Sequence, residues 1–243
     1  MYLHMQLTKK QARKFMLAHQ KIIPARKLQG KEGILEYIRH VGCIQFDPLN
    51  VVGYNPYLVL QSRIENFKSE YLQELLYSDR KLLDGWDKNM SIYVLEDWPY
   101  FSRYREKAYR QHGGESNSTS KILPEVRDIL EQNGPLSSID LKFDTIVDWS
   151  WAPTRAARAA LESMYFWGEL IIHHKVGTRK VYDFTEKYLP SELLSMPDPN
   201  ITIEQYFEWK VKRRIGAVGL LWERSGDGWL GISWMKSKRR FNA

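Results

Sequence analysis

Apolar residues recur at helical spacing in several stretches of the chain. Between residues 8 and 20, Ala12, Phe15, Met16 and His19 share a face. Thr8 precedes that run and Gln11 occupies the capping-box position. Lys9, Lys10, Arg13 and Lys14 make the other face basic, as a solvated surface or as a phosphate-contacting one. A second helix is predicted over 33–41, ending at Gly42, a residue suited to the left-handed position after a helix. Segments 57–63 and 69–77 predict two more. Residues 82–93, around Trp86, read either as a helix or as a buried strand. Residues 98–112 predict a helix after Pro99 that carries Arg103, Arg105, Lys107 and Arg110.

The pattern changes at Gly113-Gly-Glu-Ser-Asn-Ser-Thr-Ser120, the clearest linker in the chain. A helix is predicted over 123–133, with Pro124 near its start and Gly134-Pro135 after its end. A second element begins over 136–141 with Ser137 as its cap. An Ala-rich helix over 153–167 carries Arg155 and Arg158 on one side and stops at Gly168. Residues 169–184 then alternate as a strand, a turn at Val176-Gly177-Thr178 and a returning strand. Helix, turn, helix, long helix and then a hairpin is the order of a winged helix. The Arg-bearing helix would be its recognition helix, with His173, His174, Lys175, Arg179 and Lys180 on or near the wing. Residues 201–218 open a third unit, helical over 204–214. Short strands are expected at 220–222 and 229–234 around the turn Ser225-Gly-Asp-Gly228.

These segments predict a mainly α protein with small β-hairpins, an α+β fold of tandem winged helices. The expected domains are residues 1–112, a linker at 113–120, a second winged helix at 121–200, and the start of a third at 201–243. The chain closes on Lys236-Ser-Lys-Arg-Arg-Phe-Asn-Ala243, which reads as the opening of a further helix and suggests a truncated third domain.

The chain has 243 residues, 43% of them hydrophobic and 13% aromatic, enough for packed cores. A formal net charge of +7 favours a polyanionic partner, nucleic acid first and anionic membrane second. A single cysteine, Cys43, excludes an intramolecular disulfide and a Cys-rich zinc site, and its apolar neighbours make it a small core residue. No segment has the roughly eighteen apolar residues of a membrane span. The N-terminus lacks a leader-like apolar run, so the expected location is the cytosol, with the nucleoid if DNA is the partner. His173-His174 is not expected to form a metal pair, because adjacent strand residues point to opposite faces.

The chemistry centres on Gln45-Phe46-Asp47. In an extended segment Gln45 and Asp47 share a side while Phe46 anchors the other. An amide beside a carboxylate can hold and polarise water. The plainer reading is also open: Asp47-Pro48 is a good helix start, with Asp as the cap and Pro at the first helical position.

Taken together, these pieces resemble the AlkZ/YcaQ-like DNA glycosylases, a family of tandem winged helices. The resemblance runs from Leu7-Thr-Lys-Lys-Gln-Ala-Arg13 and is strongest at His40-Val-Gly-Cys-Ile-Gln-Phe-Asp47. It continues through Asn55-Pro-Tyr-Leu-Val-Leu-Gln-Ser-Arg63 and Leu83-Asp-Gly-Trp86, then more weakly through 155–167 and 215–220. It implies hydrolysis of the N-glycosidic bond of N7-alkylated purines in double-stranded DNA, with bulky adducts and interstrand crosslinks among the family's substrates. Asp47 matches the catalytic carboxylate and Gln45 its partner amide. The resemblance implies no metal and no cofactor. Where many relatives have a His two residues after the tryptophan matching Trp86, this chain has Lys88, which can still contact a phosphate.

Arg13, Lys88, Arg155, Arg158, Lys175, Arg179 and Lys180 are therefore the candidate DNA contacts, and tandem winged helices in one chain make a monomer the expected state. Two other readings stand beside the enzyme. A non-catalytic winged-helix transcriptional regulator has no use for a carboxylate facing DNA. A winged-helix protein-interaction scaffold would have no continuous positive groove and little salt-dependent affinity for DNA.

Overall fold

The computed structural model describes residues 6–24, 28–114, 118–149, 152–222, 226, 229 and 232. In chain order, the first elements are α1 (Lys9–His19), β1 (Leu28–Gln29), α2 (Gly30–Val41), β2 (Ile44–Gln45), α3 (Asn55–Gln61) and β3 (Ile64–Glu65). Next come α4 (Ser69–Tyr77), β4 (Leu82–Trp86), β5 (Met90–Val94), a 3-10 helix Leu95–Phe101, α5 (Ser102–His112) and α6 (Leu123–Asn133). The last are β6 (Ile146–Val147), β7 (Thr154–Arg155), α7 (Ala156–Phe166), β8 (Leu170–Val176), β9 (Arg179–Phe184), α8 (Ser191–Leu194) and α9 (Ile203–Val218). The fold is mainly helical α+β with small sheets.

The chain divides into two compact units, each discontinuous in sequence. One comprises Met1–Leu75, Gly85–Val94 and Asn200–Ala243, and the other Leu76–Asp84 and Leu95–Pro199.

In the first unit, α1 begins with the expected capping box: Thr8 Oγ1 accepts from Gln11 N–H, and the Gln11 side chain accepts from Thr8 N–H. The inward face of α2 supplies Ile34, Tyr37, Ile38 and Val41 at helical spacing, all nearly inaccessible to solvent. Leu60, Ile64, Leu72, Leu75 and Ile92 are equally buried. β1 pairs in parallel with β3, Leu28 opposite Ile64. Gly33 lets α2 lie close to β1, because a Cβ there would meet Leu28 backbone atoms at 3.0 Å. β5 lies between β2 and β4 in a three-stranded sheet. The stretch left open between helix and strand is thus two strands around a turn at 87–89.

α9 brings two arginines to that turn. Arg213 Nε donates to Asp87 Oδ2 at 2.5 Å, and Arg214 Nη1 lies 2.6 Å from Asp87 Oδ1. The side chains are 9%, 4% and 3% exposed for Arg213, Arg214 and Asp87. Arg213 Nη2 also donates to the carbonyl of Gly42, at the end of α2, at 2.8 Å. Burial pushes the Asp87 carboxyl up, but the charges and hydrogen bonds of the two arginines reverse that and hold it below the usual carboxylate range.

In the second unit, α7 is buried along most of its length, from Ala156 to Tyr165. Its small residues Ala157, Ala159 and Ala160 have no exposed surface. β8 and β9 form the expected hairpin, with Val176 opposite Arg179 and Gly177 at φ 63° in the turn. Residues 136–141 form no helix. Leu136 and Tyr182 exchange backbone hydrogen bonds of 3.0 and 2.7 Å, which commits that backbone to an extended path. Asp140 then closes a turn by accepting from Ser137 N–H and Oγ–H, both at 2.7 Å.

Residues 220–222 are irregular rather than a strand. Instead the Trp222 carbonyl accepts from the Trp229 indole at 2.6 Å, over a small core of Val211, Trp229 and Ile232. The rest of the strand and turn expected over 225–234, and the helix expected after Lys236, fall mostly or wholly outside the described residues.

The triad generates a stability prediction. Asp87→Asn leaves two guanidinium groups buried without their counter-charge and is expected to cost about 3–5 kcal/mol, read as a lower urea midpoint. A folded-state pKa held low contributes stability above the unfolded value of roughly 4, and loses it as pH falls through the folded value. The parent should therefore lose this contribution only below about pH 4, whereas Asp87→Asn lacks it at every pH.

Candidate active site

The segment bearing Gln45 and Asp47 is fixed from both ends. α2 ends at Gly42 with φ 82°, a left-handed conformation that L side chains adopt poorly. A Cβ at that position would also lie 3.3 Å from the Arg213 side chain. The chain then enters β2, with Ile44 opposite Ile92 and Gln45 opposite Ser91. Phe46 N–H donates to the Met90 carbonyl at 2.8 Å, so the ladder extends one residue past the strand. Lys88 lies in the β4–β5 turn, two residues before Met90.

Beyond Phe46 the backbone turns away from the sheet. Leu49 N–H donates to Asp47 Oδ1 at 2.9 Å, a local turn closed by the carboxylate. Asp47 therefore caps no helix: α3 begins at Asn55, with Tyr54 before it. The helix-start reading of Asp47-Pro48 is overturned, because residues 46–54 are irregular. Asn55 reaches back and donates from Nδ2 to the Gln45 carbonyl at 2.7 Å. Phe46 stacks on Tyr54, ring centroids 6.2 Å apart and 21° from parallel. Phe46 anchors against that ring while remaining half-buried, as are Gln45 and Asp47. A carboxylate held through one oxygen has a second with which to accept a proton, and an amide two residues away can orient water.

Cys43 is partly buried two residues before Gln45. Burial, with the Asp87 charge adding to it, pushes its thiol up to about 11 against the lowering influence of Arg213 and Arg214.

The expected DNA contacts are placed unequally. In the first unit, Arg13 is exposed on α1 and Lys88 is half-buried in the β4–β5 turn. In the second unit, Arg179 is exposed at the hairpin tip. Arg158 pairs with Glu162 one turn along α7 at 3.2 Å and remains 59% exposed. Arg155 is tied inward: it donates to the carbonyls of Leu141 at 2.9 Å and Ser138 at 3.3 Å, and pairs with Asp144. Lys175 is 8% exposed and lies 2.5 Å from Asp84, which is 1% exposed and also accepts from Tyr77 Oη. Lys180 is half-covered, 3.9 Å from Glu162 and over the Tyr165 ring. Burial lowers its ammonium pKa, and the Glu162 charge opposes that shift.

The two adjacent histidines behave differently from simple strand alternation. A register irregularity between Ile172 and His174 brings their Nδ1 atoms to 2.8 Å. Arg80 anchors the same strand by donating to the carbonyls of Ile172 and His173, both at 2.9 Å. Among the described residues no group of three or more His, Cys, Asp or Glu side chains could hold a metal.

Sequence reasoning missed the clamp from α9, Arg80 and Asp84. Each acts through contacts between residues 90 or more positions apart, or through a buried charge, and neither leaves a local signature. Asn55 was visible only as part of a resemblance. Its link to Gln45 has a weak local cue, an Asn at the first position of a short helix.

The protein is thus a basic, mainly helical α+β protein with an amide and a carboxylate at the end of a short strand. The chain is a member of the AlkZ-like DNA glycosylase family: the family model described as "DNA glycosylase AlkZ-like" matches residues 38–243, a span that includes Gln45 and Asp47. The fold is similar to that of the Streptomyces sahachiroi DNA glycosylase AlkZ, with a TM-score of 0.61 at 16% sequence identity. The match covers 98% of this chain and 65% of that protein.

Two measurements check the placement of these side chains. Cys43 is expected to react with iodoacetamide at pH 8 about a hundredfold more slowly in the native chain than in denaturant, because a raised pKa depletes the thiolate. Lys175→Met is expected to cost about 3–5 kcal/mol in thermal or urea unfolding, since it leaves the Asp84 charge buried and unpaired. A loss below about 0.5 kcal/mol would return Lys175 to the class of surface cations.

Proposed function

We propose that this protein is a DNA repair glycosylase that hydrolyses the N-glycosidic bond of N7-alkylated purines in duplex DNA. The observation that carries the reading is the site at the end of β2. Within a family of DNA glycosylases, Gln45 and Asp47 stand two residues apart on a segment fixed by Met90 and Asn55. That Asp47 caps no helix favours the enzyme over a non-catalytic winged-helix regulator, for which the carboxylate would only repel phosphate.

The chemistry asks little of the protein. N7-alkylation leaves the purine cationic and already a good leaving group. The bond between C1′ and N9 breaks, its electron pair neutralises the purine, and an oxocarbenium ion develops on the sugar. The Asp47 carboxylate stabilises that charge and takes a proton from the attacking water. The Gln45 amide orients the water. Water oxygen bonds to C1′, leaving an abasic sugar and the free alkylated base. Bulky adducts and interstrand crosslinks fit the same scheme, since a site open at a strand end does not demand a closed pocket for one flipped base.

The α6–α7–β8–β9 segment, with the Leu136–Tyr182 bridge as its reduced first strand, is read as a winged helix within 121–200. A like module lies within 1–112, and a third begins at 201. On this reading Arg13, Lys88 and Arg179 contact phosphates directly, and Arg158, paired with Glu162 yet 59% exposed, does so from beside that partner. Arg155, Lys175 and Lys180 would first have to yield intramolecular partners, and so act mainly through the field they add. The protein works as a monomer without a cofactor, in the cytoplasm with the nucleoid. No described helix is long and apolar enough to cross a membrane.

The deciding assay is base release from a duplex carrying one N7-methylguanine. The parent should release the base, and Asp47→Asn should lower the rate by about 10²–10⁴-fold while binding DNA as tightly. Retained turnover in that variant would sink the assignment of Asp47. Arg179→Ala should weaken binding to all sequences alike and reduce the slope of log K against log salt by about one, with unfolding unchanged. A loss confined to one sequence would contradict the phosphate role.

A further inference from the structure

The loop that follows Asp47 is Pro48-Leu-Asn-Val-Val-Gly53. Leu49, Val51 and Val52 are 70%, 89% and 82% exposed. They are three large apolar side chains held in water within four consecutive positions, where burial would ordinarily be favourable. The loop carries no charge of its own. Its base is nonetheless well fastened. Asp47 Oδ1 holds Leu49 N–H at 2.9 Å, the Asn55 side chain holds the Gln45 carbonyl at 2.7 Å, and the Phe46 and Tyr54 rings stack across the stem. Gly53, at φ 142°, lies against Leu58 and returns the chain to α3. A loop of about this length with paired ends and an apolar tip is a presented feature rather than slack chain.

We infer that this loop is a wedge that inserts Val51 and Val52 into the base stack of duplex DNA beside the damaged nucleotide. The inference rests on the glycosylase reading in one respect: if Asp47 acts at the glycosidic bond, a tip four residues further along must meet the neighbouring bases. Charge supports DNA as the occupant. The Phe46 N–H bond to the Met90 carbonyl ties the stem of the loop to the strand that follows the Lys88 turn, two residues from that cation, and a phosphate there would flank an inserted side chain. β-Branched valines suit the role, because their restricted side-chain rotation leaves little entropy to lose on insertion. Apolar wedges that unstack a base step are a general device for opening a duplex at small cost in specificity. Here the wedge would expose the sugar of the damaged nucleotide to the water held by Asp47 and Gln45.

The test uses the full chain and a short duplex with 2-aminopurine next to a 2′-fluoro-N7-methyldeoxyguanosine, whose glycosidic bond resists hydrolysis. The probe brightens when its neighbour unstacks. The parent should raise its fluorescence severalfold, and a Val51→Ser, Val52→Ser double variant should bind the duplex by anisotropy without that rise. Both positions are exposed, so the variant should melt as the parent does. An equal rise in parent and variant would overturn the wedge, as would a flat signal from a parent that binds the duplex.

The two readings fail separately. A loop-dependent rise, with no base released from the hydrolysable lesion, keeps the wedge and removes the glycosylase. Base release unchanged in the double variant, with a flat signal, does the reverse. Loop-dependent cosedimentation with vesicles of anionic phospholipid, again with a flat signal, would overturn DNA as the occupant in favour of a membrane surface.

Discussion

Asp87 accepts from Arg213 and Arg214 in a setting nearly closed to water, and the geometry of the candidate site depends on it. Three charges so placed are costly unless they satisfy one another. One carboxylate with two guanidinium groups achieves this, and the second arm of Arg213 adds the Gly42 carbonyl. The clamp therefore joins three points: the turn between β4 and β5, the end of α2 and the middle of α9. The strand with Gln45 begins two residues after Gly42 and pairs with β5, just beyond that turn. Whatever holds Asp87 in place also holds the two backbones between which Gln45 and Phe46 are strung.

The same logic assigns roles to charge elsewhere. The chain carries a formal excess of seven positive charges, yet several of its cations are committed internally. Arg80 serves the backbone of β8, Lys175 neutralises Asp84, and Arg127 pairs with Glu169. These pairs lock helices and hairpins in register. The cations left toward solvent on α1, on α7 and at the hairpin tip then determine where an anionic partner can approach. A positive sum therefore says that a polyanion will be attracted, while burial says which side chains can meet it.

Around Asp47 the division of labour is local. Fixed elements end on either side, and an irregular loop lies between them. Rigidity at the stem and exposure at the tip suit the proposed function, in which Asp47 is held steady while a substrate as large as duplex DNA is admitted. Precision comes from the sheet edge and from Asn55, both backbone-directed, so the carboxylate is positioned by few side chains.

Much of this was legible in the sequence because it is local. The cap at Thr8, the stop at Gly42, α4 and α6 and the hairpin through Gly177 follow from periodicity and from residues with special backbone preferences, which act within a few positions. The Gln45–Asp47 pair was visible for the same reason, as was the basic balance of the chain. What tertiary structure alone decided was non-local or competitive. Residues 136–141 have a helix-like start, yet Leu136 pairs with Tyr182 and Ser137 to Asp140 close a turn. Asp47-Pro48 has the chemistry of a helix start, but the Leu49 amide takes the carboxylate into a tight turn. His173 and His174 should face apart, but a bulge turns their rings together. Nothing local distinguishes Arg213 from the neighbouring basic residues of its helix, and only the fold shows it buried against Asp87, 126 positions away. A sequence records which side chains carry charge or bulk. Whether water, backbone or an opposite charge meets them is fixed when distant segments close together, because the cost of burying a charge depends wholly on what surrounds it.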